Sequence, residues 1–126
     1  MGETGKRILI VEDDASYSML LSDALTDAGF AVDTAKNGEE AFKSVKTQPD
    51  MILLDYILPD MTGVDILKKI RGEESKWASK VPVFLLTQKS DLSTMAEAIE
   101  GHMTGFIVKT GTNFSEILET VRRELA

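Results

Sequence analysis

No cysteine occurs among the 126 residues. That removes disulfides and thiolate metal sites, and it fits a reducing compartment such as the cytoplasm. Histidine occurs once, at His102, between an expected helix stop and an expected strand, where a surface loop residue is the ordinary reading. No apolar run reaches the length needed to cross a bilayer, and the opening MGETGKR is polar, unlike a secretory signal. No glycine-rich phosphate loop follows the first apolar run. VEDDAS is acidic there, which argues against a nucleotide-binding module. Positive charge is also short: 14 Lys and Arg face 21 Asp and Glu, for a net charge of −7. Direct nucleic-acid binding needs a basic face that this balance does not supply. The same balance suits a protein that takes up a cation or meets a basic partner.

What is present reads as one domain, with 43% hydrophobic residues and enough length for a core. Short apolar runs alternate with amphipathic ones. RILIV (7–11) is a continuous branched run of the kind that forms a strand buried on both faces. Leu20, Leu21, Ala24, Leu25 and Ala28 follow at helical spacing, with Gly29 as the stop. FAVDTA (30–35) is more polar and reads as an outer strand. Asn37 and Glu40 form a capping pair before Ala41, Phe42 and Val45. MILLD (51–55) is the third strand, and Val64, Leu67 and Ile70 mark a third helix ended by Gly72. VPVFLL (81–86) is the fourth strand. Leu92, Met95, Ala96 and Ile99 form a stripe ended by Gly101. GFIV (105–108) is the fifth strand, and Asn113 with Glu116 is expected to cap a last helix carrying Phe114, Ile117, Leu118 and Val121. The segment GEESKWASK reads as a polar loop, with Trp77 packed on the neighbouring helix. Five β-α repeats predict a doubly wound parallel sheet with right-handed crossovers and helices on both faces.

In such a sheet the carboxyl ends of all strands share one edge, where open α/β folds bind ligands. The first strand ends in Glu12, Asp13 and Asp14, the third in Asp55, the fourth in Thr87 and the fifth in Lys109. Asp14 stands where a helix N-cap belongs. The others are candidates for chemistry. Clustered carboxylates need a counter-cation, and oxygen ligands alone suit Mg²⁺. A hydroxyl and a lysine suit phosphoryl oxygens, and an aspartate can form an acyl phosphate.

These residues together resemble the receiver domains of two-component response regulators, chemotaxis-regulator-like, over essentially the whole chain. ILIVEDD is similar to the family's first strand with its acidic pair at Glu12 and Asp13. LLDYILPDMTG is similar to the phosphoacceptor segment, with Asp55 followed by Pro59, Met61 and Gly63. VFLLT supplies Thr87, and GFIVK supplies Lys109 with Phe106 at the aromatic switch position. The resemblance implies a five-stranded sheet of order 2-1-3-4-5 with five helices, flavodoxin-like. It implies a receiver domain over 1–126, with its core at 6–126 and residues 1–5 flexible. It implies an acceptor rather than an enzyme, in the cytoplasm. A histidine kinase or histidine phosphotransfer protein would present phosphohistidine to Asp55. Mg²⁺ would be held by Asp13, Asp55 and the Ile57 carbonyl, with Glu12 acting through metal-bound water. Lys109 and Thr87 would hold the phosphoryl oxygens. Thr87 and Phe106 would then shift the surface of the fourth helix, fifth strand and fifth helix. A monomer or a phosphorylation-dependent dimer is expected, with no membrane contact and no direct nucleic-acid contact. No effector domain is evident, which leaves a stand-alone receiver or the first domain of a longer regulator.

Three positions depart from that pattern: Thr110 replaces the usual proline after the lysine, Gln88 replaces a very small residue, and Ile57 is aliphatic close to where attacking water would approach. A phosphohydrolase of the haloacid dehalogenase type would need an aspartate at position 57, so Ile57 argues against it. A receiver-like scaffold that takes no phosphate is the other alternative.

Overall fold

A computed structural model describes residues 3–88, 96–109 and 113–126. Five strands form one parallel sheet in the order β2-β1-β3-β4-β5. They are β1 (Arg7–Val11), β2 (Ala31–Ala35), β3 (Met51–Asp55), β4 (Val83–Thr87) and β5 (Gly105–Val108). Six α-helices lie among the described residues: α1 (Ala15–Asp27), α2 (Gly38–Ser44), α3 (Gly63–Arg71), α4 (Lys76–Lys80), α5 (Ala96–Glu100) and α6 (Ser115–Glu124). The expected architecture and strand order hold, but five helices become six. The addition is α4, inside the segment read as a polar loop. Ser75 caps it by accepting from Ala78 N at 3.0 Å, and the Trp77 indole donates to the Pro49 carbonyl at 2.7 Å. A five-residue helix carrying two lysines shows no apolar stripe, so periodicity cannot reveal it.

Two-residue alternation in the strands builds two cores. Leu9, Val11, Ile52, Leu54, Val83 and Leu85 face one side, where they pack with Ala41, Leu67 and Ile70. Ile8, Ile10, Met51, Leu53, Phe84 and Leu86 face the other, where they pack with Leu25, Ile117 and Val121. The central strands are therefore apolar on both faces, whereas β2 at the edge exposes Asp33 and Thr34.

Several local expectations change. Leu20 is 41% exposed, because the buried face of α1 runs through Ser18, Leu21 and Leu25. β4 begins at Val83 and takes in Thr87, so Thr87 is a strand residue. In the described part of the helix before β5, Ala98 is buried while Ala96 and Ile99 are exposed. Leu92 and Met95 lie outside the described residues, as does Thr110. Asn113 and Glu116 form no capping box: Asn113 Oδ1 accepts from Ser115 N at 3.1 Å, and α6 starts at Ser115. Asp14 does cap α1, accepting from Tyr17 N at 3.1 Å, and Asn37 caps α2 by accepting from Glu40 N at 2.8 Å.

Candidate functional site

The sheet carries its polar groups to the carboxyl edge. Val11 pairs with Leu54 and Asp55 pairs with Leu86, so the ends of β1, β3 and β4 are level there. Glu12 continues β1 by donating its N–H to Ala35 O at 2.9 Å, and Lys109 continues β5 by donating to Thr87 O at 2.8 Å. These main-chain bonds fix where the side chains start.

Glu12, Asp13 and Asp55 each place a carboxylate oxygen within 4.8 Å of the other two. Glu12 is buried, Asp55 partly buried and Asp13 exposed, so the cluster opens to solvent at Asp13. Glu12 is held from two sides. One oxygen accepts from Asp14 N at 3.3 Å, and the other is ion-paired to the Lys109 ammonium. The same ammonium lies 3.3 Å from Asp55 Oδ1. Burial, and next the neighbouring Asp55, push the Glu12 carboxyl above its ordinary range, while Lys109 pulls it back. Three carboxylates against one ammonium leave formal negative charge, concentrated in oxygen ligands with no sulfur and no imidazole. A divalent hard cation meets that need, and Mg²⁺ fits the donor set.

The remaining candidates lie on β4, β5 and the loops that follow the strands and α5. Thr87 is fully buried at the end of β4, and its hydroxyl donates to the Gln88 carbonyl at 3.1 Å. Ile57 lies two residues beyond Asp55 in the loop to α3; its backbone bridges to Thr62 and its side chain is 58% exposed. Phe106 is 44% exposed on the edge strand β5, so it is not a core residue in this state. His102 is exposed in the turn after α5 and stands apart from the acidic cluster.

Two groups escaped sequence reasoning. The Tyr17 ring lies under the Lys109 ammonium, 4.6 Å from it. Asp60 reaches back to α2, accepting from Gly38 N at 2.9 Å and Glu39 N at 3.2 Å. Tyr17 carried no signal beyond its place in the first turn of α1. Asp60 stood out only as the second acid of LLDYILPD, with a partner 22 residues away that spacing cannot supply.

A flavodoxin-like doubly wound domain with an acidic, oxygen-rich cluster at its carboxyl edge is thus defined. The response regulator receiver domain model matches residues 8–122. Transcriptional regulatory protein SilR of Salmonella typhimurium, named with the qualifier "Probable", is 37% identical over 92% of this chain and 49% of its own. The chemotaxis response regulator CheY4 of Vibrio cholerae superposes with a TM-score of 0.85 at 30% identity, over 94% of this chain and 98% of its own. TrrA of Thermotoga maritima, solved in complex with Mg²⁺-BeF, gives a TM-score of 0.82 at 31% identity, over 94% of this chain and 98% of its own. The chain belongs to the response regulator receiver domains, the signalling modules of two-component systems. It spans about half the length of the curated relatives it matches. No helix among the described residues is long and apolar enough to cross a membrane.

Proposed function

We propose that Asp55 is the phosphoacceptor of this receiver domain. The observation that carries the reading is the Lys109 ammonium joined to both Glu12 and Asp55 beside Asp13, at the edge where strands β1, β3 and β5 end. A phosphohistidine on a histidine kinase or phosphotransfer protein is the donor. An Asp55 carboxylate oxygen forms a bond to phosphorus, the phosphorus–nitrogen bond breaks, and the imidazole nitrogen keeps the electron pair and takes a proton. Glu12, Asp13 and Asp55, with the Ile57 carbonyl, are the residues that would hold Mg²⁺; when bound, it supplies charge neutralisation at the transferring oxygens.

The protein's own groups do the rest by position. Lys109 moves from its carboxylate partners to a phosphoryl oxygen while staying at the end of β5. Thr87 moves toward the phosphoryl group and exchanges its bond to the Gln88 carbonyl for one to a phosphoryl oxygen. Phe106, exposed on the same edge strand, turns toward the space released and changes the α5–β5–α6 surface. The relative SilR is named as a transcriptional regulator. An output of that kind would pass through a DNA-binding partner or segment outside this domain, since the domain itself carries a net charge of −7.

Intact mass after incubation with Mg²⁺ and a small acyl-phosphate donor tests the assignment. One phosphoryl adduct is expected on wild type and none on Asp55→Asn. No adduct on wild type at any Mg²⁺ concentration leaves the scaffold reading instead.

A further inference from the structure

Lys109 has an unusual seat. Its ammonium is paired with Glu12 and Asp55, and it also lies 4.6 Å from the centroid of the Tyr17 ring. The side chain is only 11% exposed, so this contact is largely withdrawn from water. Cation–π attraction is strongest where the cation is desolvated. The ring is itself fixed from two directions. Tyr17 N is held by the Asp14 cap in the first turn of α1, and the ring meets Phe114 edge-on, with centroids 5.5 Å apart and planes at 82°. Phe114 is buried immediately before α6. Two helices therefore brace one aromatic face beneath a lysine whose backbone is anchored by the bond from its N–H to Thr87 O.

We infer that Tyr17 is a positioning residue: its ring face, braced by Phe114, holds the Lys109 ammonium at the carboxylate cluster and so sets where that ammonium meets an incoming phosphoryl group. The inference rests on the reading of Lys109 as a phosphoryl-binding group. A lysine on a four-carbon stem is a mobile point charge. Carboxylates alone fix its distance but not its direction, since its three donors rotate freely. The ring adds a further contact that limits where the ammonium can go, while its rotating donors can still turn from a carboxylate oxygen to a phosphoryl oxygen. Burial, and the negative charge of Glu12 and Asp55, push the Tyr17 phenol up to about 12, so the hydroxyl stays neutral. The contact is thus made by the ring face and not by a phenolate.

The test reads position and rate separately. Protons on the Lys109 ε-carbon, assigned with Lys109→Arg, should resonate upfield in the metal-free wild type through the ring current of Tyr17. They should stay there in Tyr17→Phe and return to the ordinary lysine position in Tyr17→Leu. The second-order rate of phosphorylation by a small acyl phosphate should fall about tenfold in Tyr17→Leu, the scale of a largely desolvated cation–π contact, and change less than twofold in Tyr17→Phe. An ordinary lysine shift in wild type overturns the inference with no mutant needed. So do equal rates in all three proteins, or a loss in Tyr17→Phe as large as in Tyr17→Leu. Wild type showing the ring-current shift but no adduct would instead strike the phosphoacceptor reading and leave the seat in place.

Discussion

Gly63 packs so closely on Asp55 that a β-carbon there would overlap the Asp55 carbonyl oxygen and lie 3.2 Å from the Tyr56 α-carbon. Its N–H donates to Tyr56 O at 2.6 Å, which closes the loop that leaves the proposed acceptor. The glycine is needed for space, not for an unusual φ. Gly63→Ala should force backbone apart at the end of β3, with a loss of about 1–3 kcal/mol, the scale of overpacking a tight site. Urea unfolding measures it, and a midpoint equal to that of wild type would show that the loop yields without strain.

Asp60 ties the same loop to α2 through Gly38 N and Glu39 N, while Met61 covers the bare Gly38 α-carbon. The bond from Gly38 N is the main cause that holds the Asp60 carboxyl below its ordinary value of 3.8. A carboxyl depressed in the folded state stabilises fully above its unfolded pKa and loses that contribution as pH falls through the folded pKa. The urea midpoint of wild type should therefore exceed that of Asp60→Asn by a constant amount above about pH 5, begin to fall toward it only below about pH 4, and meet it once pH is below the depressed folded value. A difference that persists unchanged into strong acid would count against the latch.

His102 closes α5 at φ 65°, with His102 N donating to Ile99 O at 3.0 Å and Met103 N to Ala98 O at 3.1 Å. Gly29 closes α1 with the same pair of bonds at φ 97°. A side chain pays for the left-handed region that glycine enters freely. His102→Gly should raise stability by about 0.5–1 kcal/mol, partly offset by glycine's greater freedom when unfolded. The bond from Arg71 Nε to His102 O uses the backbone and is untouched by the change. Thermal melting would show the rise, and a lower melting point would mean the imidazole contributes more than its backbone costs.

The architecture was legible because each central strand is a continuous apolar run and most helices announce themselves by stripe or cap. Glu12, Asp13, Asp55 and Lys109 could be grouped because parallel strands must end on one edge, and the structure gathers those four side chains there. What spacing could not show are contacts made only by folding. Tyr17 meets Lys109 and Phe114, which come from the far end of the chain, and Asp60 joins the loop after β3 to the first residue of α2, Gly38. Leu20 looked apolar enough for the core, yet α1 turns Leu21 and Leu25 inward instead. The left-handed cap fell to His102 rather than Gly101, since residue type alone does not say which of two neighbours takes the turn.

Ile57 stands two residues beyond Asp55 with its side chain 58% exposed, in a loop held at its base by the bridge to Thr62 and at its tip by Asp60. A branched aliphatic more than half exposed at this point brings little packing benefit to the fold. It does place exposed apolar surface two residues from the proposed acceptor, whose acyl phosphate would be discharged by water. An aliphatic side chain offers that water no hydrogen bond, whereas an amide can both donate and accept. Ile57→Asn should therefore shorten the lifetime of the phosphorylated protein, by about threefold or more, which asks for only ~0.7 kcal/mol of barrier. Because the side chain is solvent-facing, unfolding stability should move by less than about 0.5 kcal/mol, so a faster loss of the adduct is separable from damage to the fold. Decay of the adduct followed by intact mass after removal of the donor decides it, and an unchanged half-life in Ile57→Asn would remove Ile57 from the control of hydrolysis.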